Sequence, residues 1–175
     1  KLLDFFGKLG SSVEMDYASG TLCLHHGRDL DPKAAHLPLG MRSSIMLIPA
    51  LLHRFGRASL EEDVTGCTLG SREIDPHIEV FRAFGAEVTS EPGATVITAA
   101  EGFTATQHWL DYASVTTTEN FAICAATAKG RSQLDNAACE PHVQEFCRFL
   151  VDMGAKIDGV GASTLTIEGV ERVLS

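Results

Sequence analysis

Hydrophobic and polar positions along the chain change period in a fixed order, and that order recurs. Apolar residues at helical spacing are followed by a glycine, then by two short stretches of period two on either side of a tight turn. The first copy is Leu2 to Gly10, Ser12 to Met15 and Thr21 to Leu24. The second is Ile78 to Gly85, Ala86 to Val88 and Ala94 to Thr98; the third is Val143 to Gly154, Ala155 to Ile157 and Ser163 to Ile167. Gly10, Gly85 and Gly154 stand at equivalent helix ends, where a left-handed cap favours a residue without a side chain. A period of about 70 residues marks one supersecondary unit that has been multiplied.

The last two copies carry a further helix and strand ahead of this core. A helix over Met41 to Phe55 puts Ile45, Ile48, Leu52 and Phe55 on one face, and another over Glu119 to Thr127 is closed by Lys129-Gly130. Strands Arg57 to Leu60 and Arg131 to Leu134 follow. Asp75-Pro76 and Glu140-Pro141 are expected to open the next helices, with the acidic residue as cap and proline in the first turn. The first copy lacks the preceding half, and Lys1 to Phe6 reads as the middle of a helix, so the chain is expected to be part of a longer protein. The expected organisation is one α/β domain over residues 1–175, with repeat units at 1–30, 41–100 and 114–172.

Composition narrows the partners. With 45% apolar and 21% charged residues, the chain has the balance of a globular protein. Its longest apolar run, Ile45 to Leu52, is broken by Pro49 and falls far short of the roughly 20 residues that span a bilayer, so no membrane partner is expected. A net charge of −9 argues against a nucleic-acid surface. It leaves room for an anionic small ligand, because a few arginines can dominate a cleft. Five cysteines, an odd number without paired spacing, point to a reducing cytoplasm. Cys23, Cys124 and Cys147 lie in apolar stretches and are core candidates, and Cys139 reads as incidental.

The chemistry concentrates in Gly66-Cys67-Thr68-Leu69-Gly70-Ser71-Arg72. A cysteine between glycines can approach a ligand closely, and a neighbouring arginine acidifies its thiol, making it a proton donor or a nucleophile. Arg72 and Arg42 offer forked donors suited to phosphate and carboxylate. Arg42 also opens a helix, whose N-terminal amides favour anions. His25-His26 has no partner at metal-ligand spacing and no Walker-type phosphate loop occurs, so neither metal nor cofactor is expected. Trp109 and Tyr112 are expected to pack beneath the Ser114 segment.

Met41-Arg42-Ser43-Ser44, the cysteine loop, Asn136-Ala137-Ala138-Cys139-Glu140-Pro141 and the run from Met153 to Arg172 together resemble the enolpyruvyl transferase family, in its UDP-N-acetylglucosamine 1-carboxyvinyltransferase branch. The likeness covers essentially the whole chain in order. It implies two domains, each of three βαβαββ units arranged as an inside-out α/β barrel. This chain would cover most of one domain, starting about fifty residues in, with the second domain of the same enzyme as its partner. It implies transfer of the enolpyruvyl group of phosphoenolpyruvate to a hydroxyl of UDP-N-acetylglucosamine, with release of phosphate, as a step of peptidoglycan synthesis.

The resemblance assigns Cys67 the covalent adduct with phosphoenolpyruvate and the sensitivity to fosfomycin. It places Arg72 and Arg42 on the substrates, and Ile74, Asp75, His77, Ser114, Val115 and Thr116 around the nucleotide. Asp75 has an alternative reading as a helix cap. The chain departs from the family at Glu73, where proline is usual, at Thr116, where glycine is usual, and at Val64-Thr65 ahead of the cysteine. These departures keep two other readings open: an enolpyruvyl transferase with a different acceptor, shikimate 3-phosphate among them, and a non-catalytic nucleotide-sugar-binding domain. The 175-residue piece by itself is expected to be inactive.

Overall fold

The computed structural model describes residues 1–37, 42–61 and 74–170, with Arg42 and Ser43 described by backbone only. The repeated pattern becomes repeated topology. The first copy is helix α1 (Leu2–Lys8) and a hairpin of β1 (Ser12–Asp16) and β2 (Thr21–His25). The second unit runs β3 (His36–Leu37), a 3₁₀ helix (Arg42–Leu47), α2 (Ile48–Phe55), β4 (Arg57–Glu61), α3 (Asp75–Ala83), β5 (Glu87–Glu91) and β6 (Ala94–Thr98). The third runs β7 (Gln107–Trp109), α4 (Val115–Thr127), β8 (Arg131–Asp135), α5 (Pro141–Asp152), β9 (Lys156–Asp158) and β10 (Thr164–Glu168).

Two four-stranded sheets share one plan, in the orders β3-β4-β6-β5 and β7-β8-β10-β9. In each, the first two strands pair in parallel and the rest antiparallel. The parallel edge strands β3 and β7 escape a reading of the sequence, because two or three residues are too few to show a period. The glycines behave as their spacing requires: Gly10, Gly85 and Gly154 have φ of 96°, 92° and 101°.

Helices fill the interior and the sheets lie outside. Helix α4 buries Phe121, Ala122, Cys124, Ala125 and Ala126 and packs against α2, α3 and α5. Strands with a solvated outer face alternate in burial, as β8 and β10 do. Phe84 sits between Phe121 and Phe103, with ring centroids 4.9 Å and 5.9 Å away. None of the helices among the described residues is long and apolar enough to cross a membrane.

Several local expectations change. The helix expected from Met41 is 3₁₀ up to Leu47, and α2 begins at Ile48 because Pro49, lacking an N–H, fits only a first helical turn. Helix α4 starts four residues earlier than its apolar pattern suggests. Asp75 is the first residue of α3 rather than its cap, and neither it nor Glu140 makes a side-chain capping bond. Cys124 and Cys147 are buried, but Cys23 is exposed on a hairpin whose only non-exposed position is Val13. Trp109 and Tyr112 stand out in solvent, 66% and 51% exposed, rather than beneath the Ser114 segment.

Candidate functional site

Ser114 is the N-cap of α4. Its backbone is extended and its Oγ accepts from the amide of Thr117 at 3.4 Å, while the Thr117 hydroxyl donates to the same oxygen at 2.8 Å. The spacing Ser-x-x-Thr makes that arrangement possible. Thr118 ties the turn down from within, donating to the Ser114 carbonyl at 2.7 Å and accepting from the Ala138 amide at 3.0 Å. The first turn of α4 is therefore fastened to the loop that leaves β8. Ser114, Val115 and Thr116 form its rim, the first two half-buried and Thr116 exposed.

Helix α3 presents its own N-terminus beside this rim. Ile74 and Asp75 are exposed, and Asp75, Pro76 and Glu79 line a cleft of about 290 Å³ together with Leu110, Asp111 and Tyr112. The cleft thus separates the start of α3 from the segment leading to the Ser114 cap. Asn136 supports that segment from behind, its Nδ2 donating to the Leu110 carbonyl at 2.8 Å.

His77 joins the two helices from below, with only 6% of its surface exposed. Its Nε2 lies 3.4 Å from the Thr116 hydroxyl and 3.5 Å from that of Thr117, and its Nδ1 lies 2.9 Å from Asn120 Nδ2. Burial holds the imidazole down at about 4, so it is neutral at pH 7. Asn120 Nδ2 also donates to the Ile45 carbonyl at 3.2 Å, in the 3₁₀ helix that Arg42 opens. Ile74, Asp75, His77, Ser114, Val115 and Thr116 are thus gathered at two neighbouring helix starts. Cys67 and Arg72 lie outside the described residues, as does the side chain of Arg42.

Sequence reasoning passes over Asn120. The available signal is an amide side chain directly ahead of the apolar run Phe121 to Ala126, since a polar group carried into the interior needs partners.

The model of the EPSP synthase (3-phosphoshikimate 1-carboxyvinyltransferase) family matches residues 1–175. The UDP-N-acetylglucosamine 1-carboxyvinyltransferase of Thermobifida fusca is 38% identical over 178 residues, covering 99% of this chain and 41% of that protein. The enzyme of the same name from Psychrobacter sp. is 44% identical over 133 residues, 75% of this chain and 31% of the relative. The chain therefore spans less than half the length of these curated relatives.

Among solved structures, the enolpyruvyl transferase NikO from Streptomyces tendae superposes with a TM-score of 0.74 at 21% identity, over 98% of this chain and 40% of that one. EPSP synthase from Acinetobacter baumannii superposes with a TM-score of 0.67 at 20% identity, over 99% and 39%. Both share the fold of repeated units with helices inside and sheets outside. By family match, by sequence identity and by fold, the chain belongs to the EPSP synthase family of enolpyruvyl transferases.

Proposed function

We propose that the protein containing this chain transfers the enolpyruvyl group of phosphoenolpyruvate to a hydroxyl of UDP-N-acetylglucosamine, a cytoplasmic step of peptidoglycan synthesis. The observation that carries this reading is the 38% identity to the Thermobifida fusca enzyme across 99% of the chain. The clustering of Ile74, Asp75 and Ser114 to Thr116 at two helix starts supports it, since amide-rich N-termini suit a diphosphate.

The chemistry needs a proton delivered to carbon 3 of phosphoenolpyruvate, a proton taken from the acceptor hydroxyl, and a new bond from that oxygen to carbon 2. Phosphate leaves carbon 2 as carbon 3 gives its proton back and the double bond returns. Cys67 is the residue we assign to the proton donor and covalent role, as a thiol that its Arg72 neighbour acidifies. Arg72 and Arg42 neutralise the phosphate and carboxylate charge. The second domain of the full-length protein supplies the opposite wall of the site.

The test is phosphate release by the full-length protein given phosphoenolpyruvate and UDP-N-acetylglucosamine. Cys67→Ser is expected to slow release by ~10²-fold or more, the usual scale for losing a positioned acid. Fosfomycin is expected to label the peptide that contains Cys67. Release with shikimate 3-phosphate but not with the nucleotide sugar would shift the acceptor. Binding of the nucleotide sugar without turnover would favour the non-catalytic reading.

A further inference from the structure

The amide of Asn120 is placed with more care than a core position needs. It is wholly buried in the second turn of α4, and among the described residues its Oδ1 has no hydrogen-bond partner. An apolar side chain of the same size would avoid that unsatisfied oxygen. The two protons of Nδ2 are both engaged, one on the Ile45 carbonyl at 3.2 Å and one on His77 Nδ1 at 2.9 Å.

These contacts have only one consistent assignment of protons. A backbone carbonyl can only accept, so Ile45 fixes which end of the amide faces inward. That end donates, so His77 Nδ1 must accept, and its proton must sit on Nε2. Nε2–H then points to the hydroxyls of Thr116 and Thr117, at 3.4 Å and 3.5 Å. Thr117 in turn donates to Ser114 Oγ at 2.8 Å. The row of bonds runs in one direction, from a core amide to the cap of α4.

We propose that Asn120 is a positioning residue for the acceptor-binding rim: by locking His77 as the Nε2–H tautomer it orients the Thr116, Thr117 and Ser114 hydroxyls, and through the Ile45 carbonyl it holds the Arg42 helix in register with them. The tautomer lock stands on the geometry alone; the role in acceptor binding rests on the proposed function. Asn120 itself touches no substrate. Its effect passes through His77, whose low exposure keeps water from competing for the same protons.

Two variants of the full-length protein test this. Imidazole ¹⁵N shifts of His77 are expected to show a protonated Nε2 and a bare Nδ1 in the natural protein. Asn120→Leu should give a mixture of tautomers, because the donor to Nδ1 is gone. Asn120→Asp should move the proton to Nδ1, because a carboxylate accepts where the amide donated. With UDP-N-acetylglucosamine as acceptor, Asn120→Leu should raise its KM by on the order of tenfold with kcat changed much less, the signature of a displaced binding group.

A protonated Nδ1 in the natural protein, or a tautomer that neither variant alters, would overturn the lock. An acceptor KM unchanged in a variant whose tautomer has changed would overturn the positioning role. If the natural protein turns over no acceptor, the proposed function fails by itself, and the lock is still judged by the ¹⁵N shifts. Should Asn120→Leu not fold, Asn120→Asp carries the same two readouts.

Discussion

Asn120 Nδ2 lies 2.9 Å from His77 Nδ1, although 43 positions separate the two residues in the chain. The contact joins the second and third repeat units under the rim of the candidate site. It also keeps a histidine in a place that favours only its neutral form.

That placement makes stability depend on pH. The folded value of about 4 lies below the ordinary 6.5, so protons favour the unfolded chain between those limits. The contribution is fully present above about pH 6.5 and is lost as the pH falls through 4. At ~1.4 kcal/mol per pH unit the whole effect is about 3 kcal/mol. Urea unfolding of the natural protein and of His77→Gln, which cannot titrate, should give a difference in stability that changes across this window. Parallel pH profiles for the two proteins would show that His77 is not held neutral.

Asn136 has a left-handed backbone, φ 58°, and is the only described residue other than glycine with positive φ. It also donates to the Leu110 carbonyl. Asn136→Gly keeps the backbone comfortable and loses the bond, at about 1 kcal/mol. Asn136→Ala loses the bond and adds the left-handed penalty of roughly 1 kcal/mol more. Chemical denaturation should therefore rank glycine above alanine here, the reverse of their order inside a helix. Equal midpoints for the two variants would count against the strained turn.

The thiols should separate by exposure. Cys23 and Cys139 are exposed, while Cys124 and Cys147 are buried, with burial pushing both of the latter thiols up. Brief alkylation of the native protein, mapped by mass spectrometry, should label Cys23 and Cys139 and spare Cys124 and Cys147. Label on Cys124 under native conditions would contradict the packing of α4.

The cysteine result also shows where reading a sequence stops. Cys23 and Cys124 both sit among apolar neighbours in the chain, yet one faces solvent and the other is enclosed by helices. In β10 the alternating pattern has one face buried because β8 and β9 lie alongside and α4 packs behind. Around the β1–β2 hairpin no third strand is hydrogen-bonded among the described residues. The local pattern is the same, and the neighbours decide its burial.

What the sequence determines by itself is the set of features that depend on near neighbours. Helical and strand periods, the left-handed glycines at 10, 85 and 154, and the threefold recurrence of the unit are all of this kind, because a few consecutive residues settle them. So is the family, which ordered motifs carry from end to end. Only the tertiary structure decides that His77 lies beneath Thr116 and Thr117, that Asn120 reaches both His77 and Ile45, and that Asp75 borders a cleft with Tyr112. Those pairings join residues tens of positions apart. They arise because α3, α4 and the Arg42 helix pack together in the interior, where buried polar groups need partners and those of His77 and Asn120 lie across the boundary between repeat units.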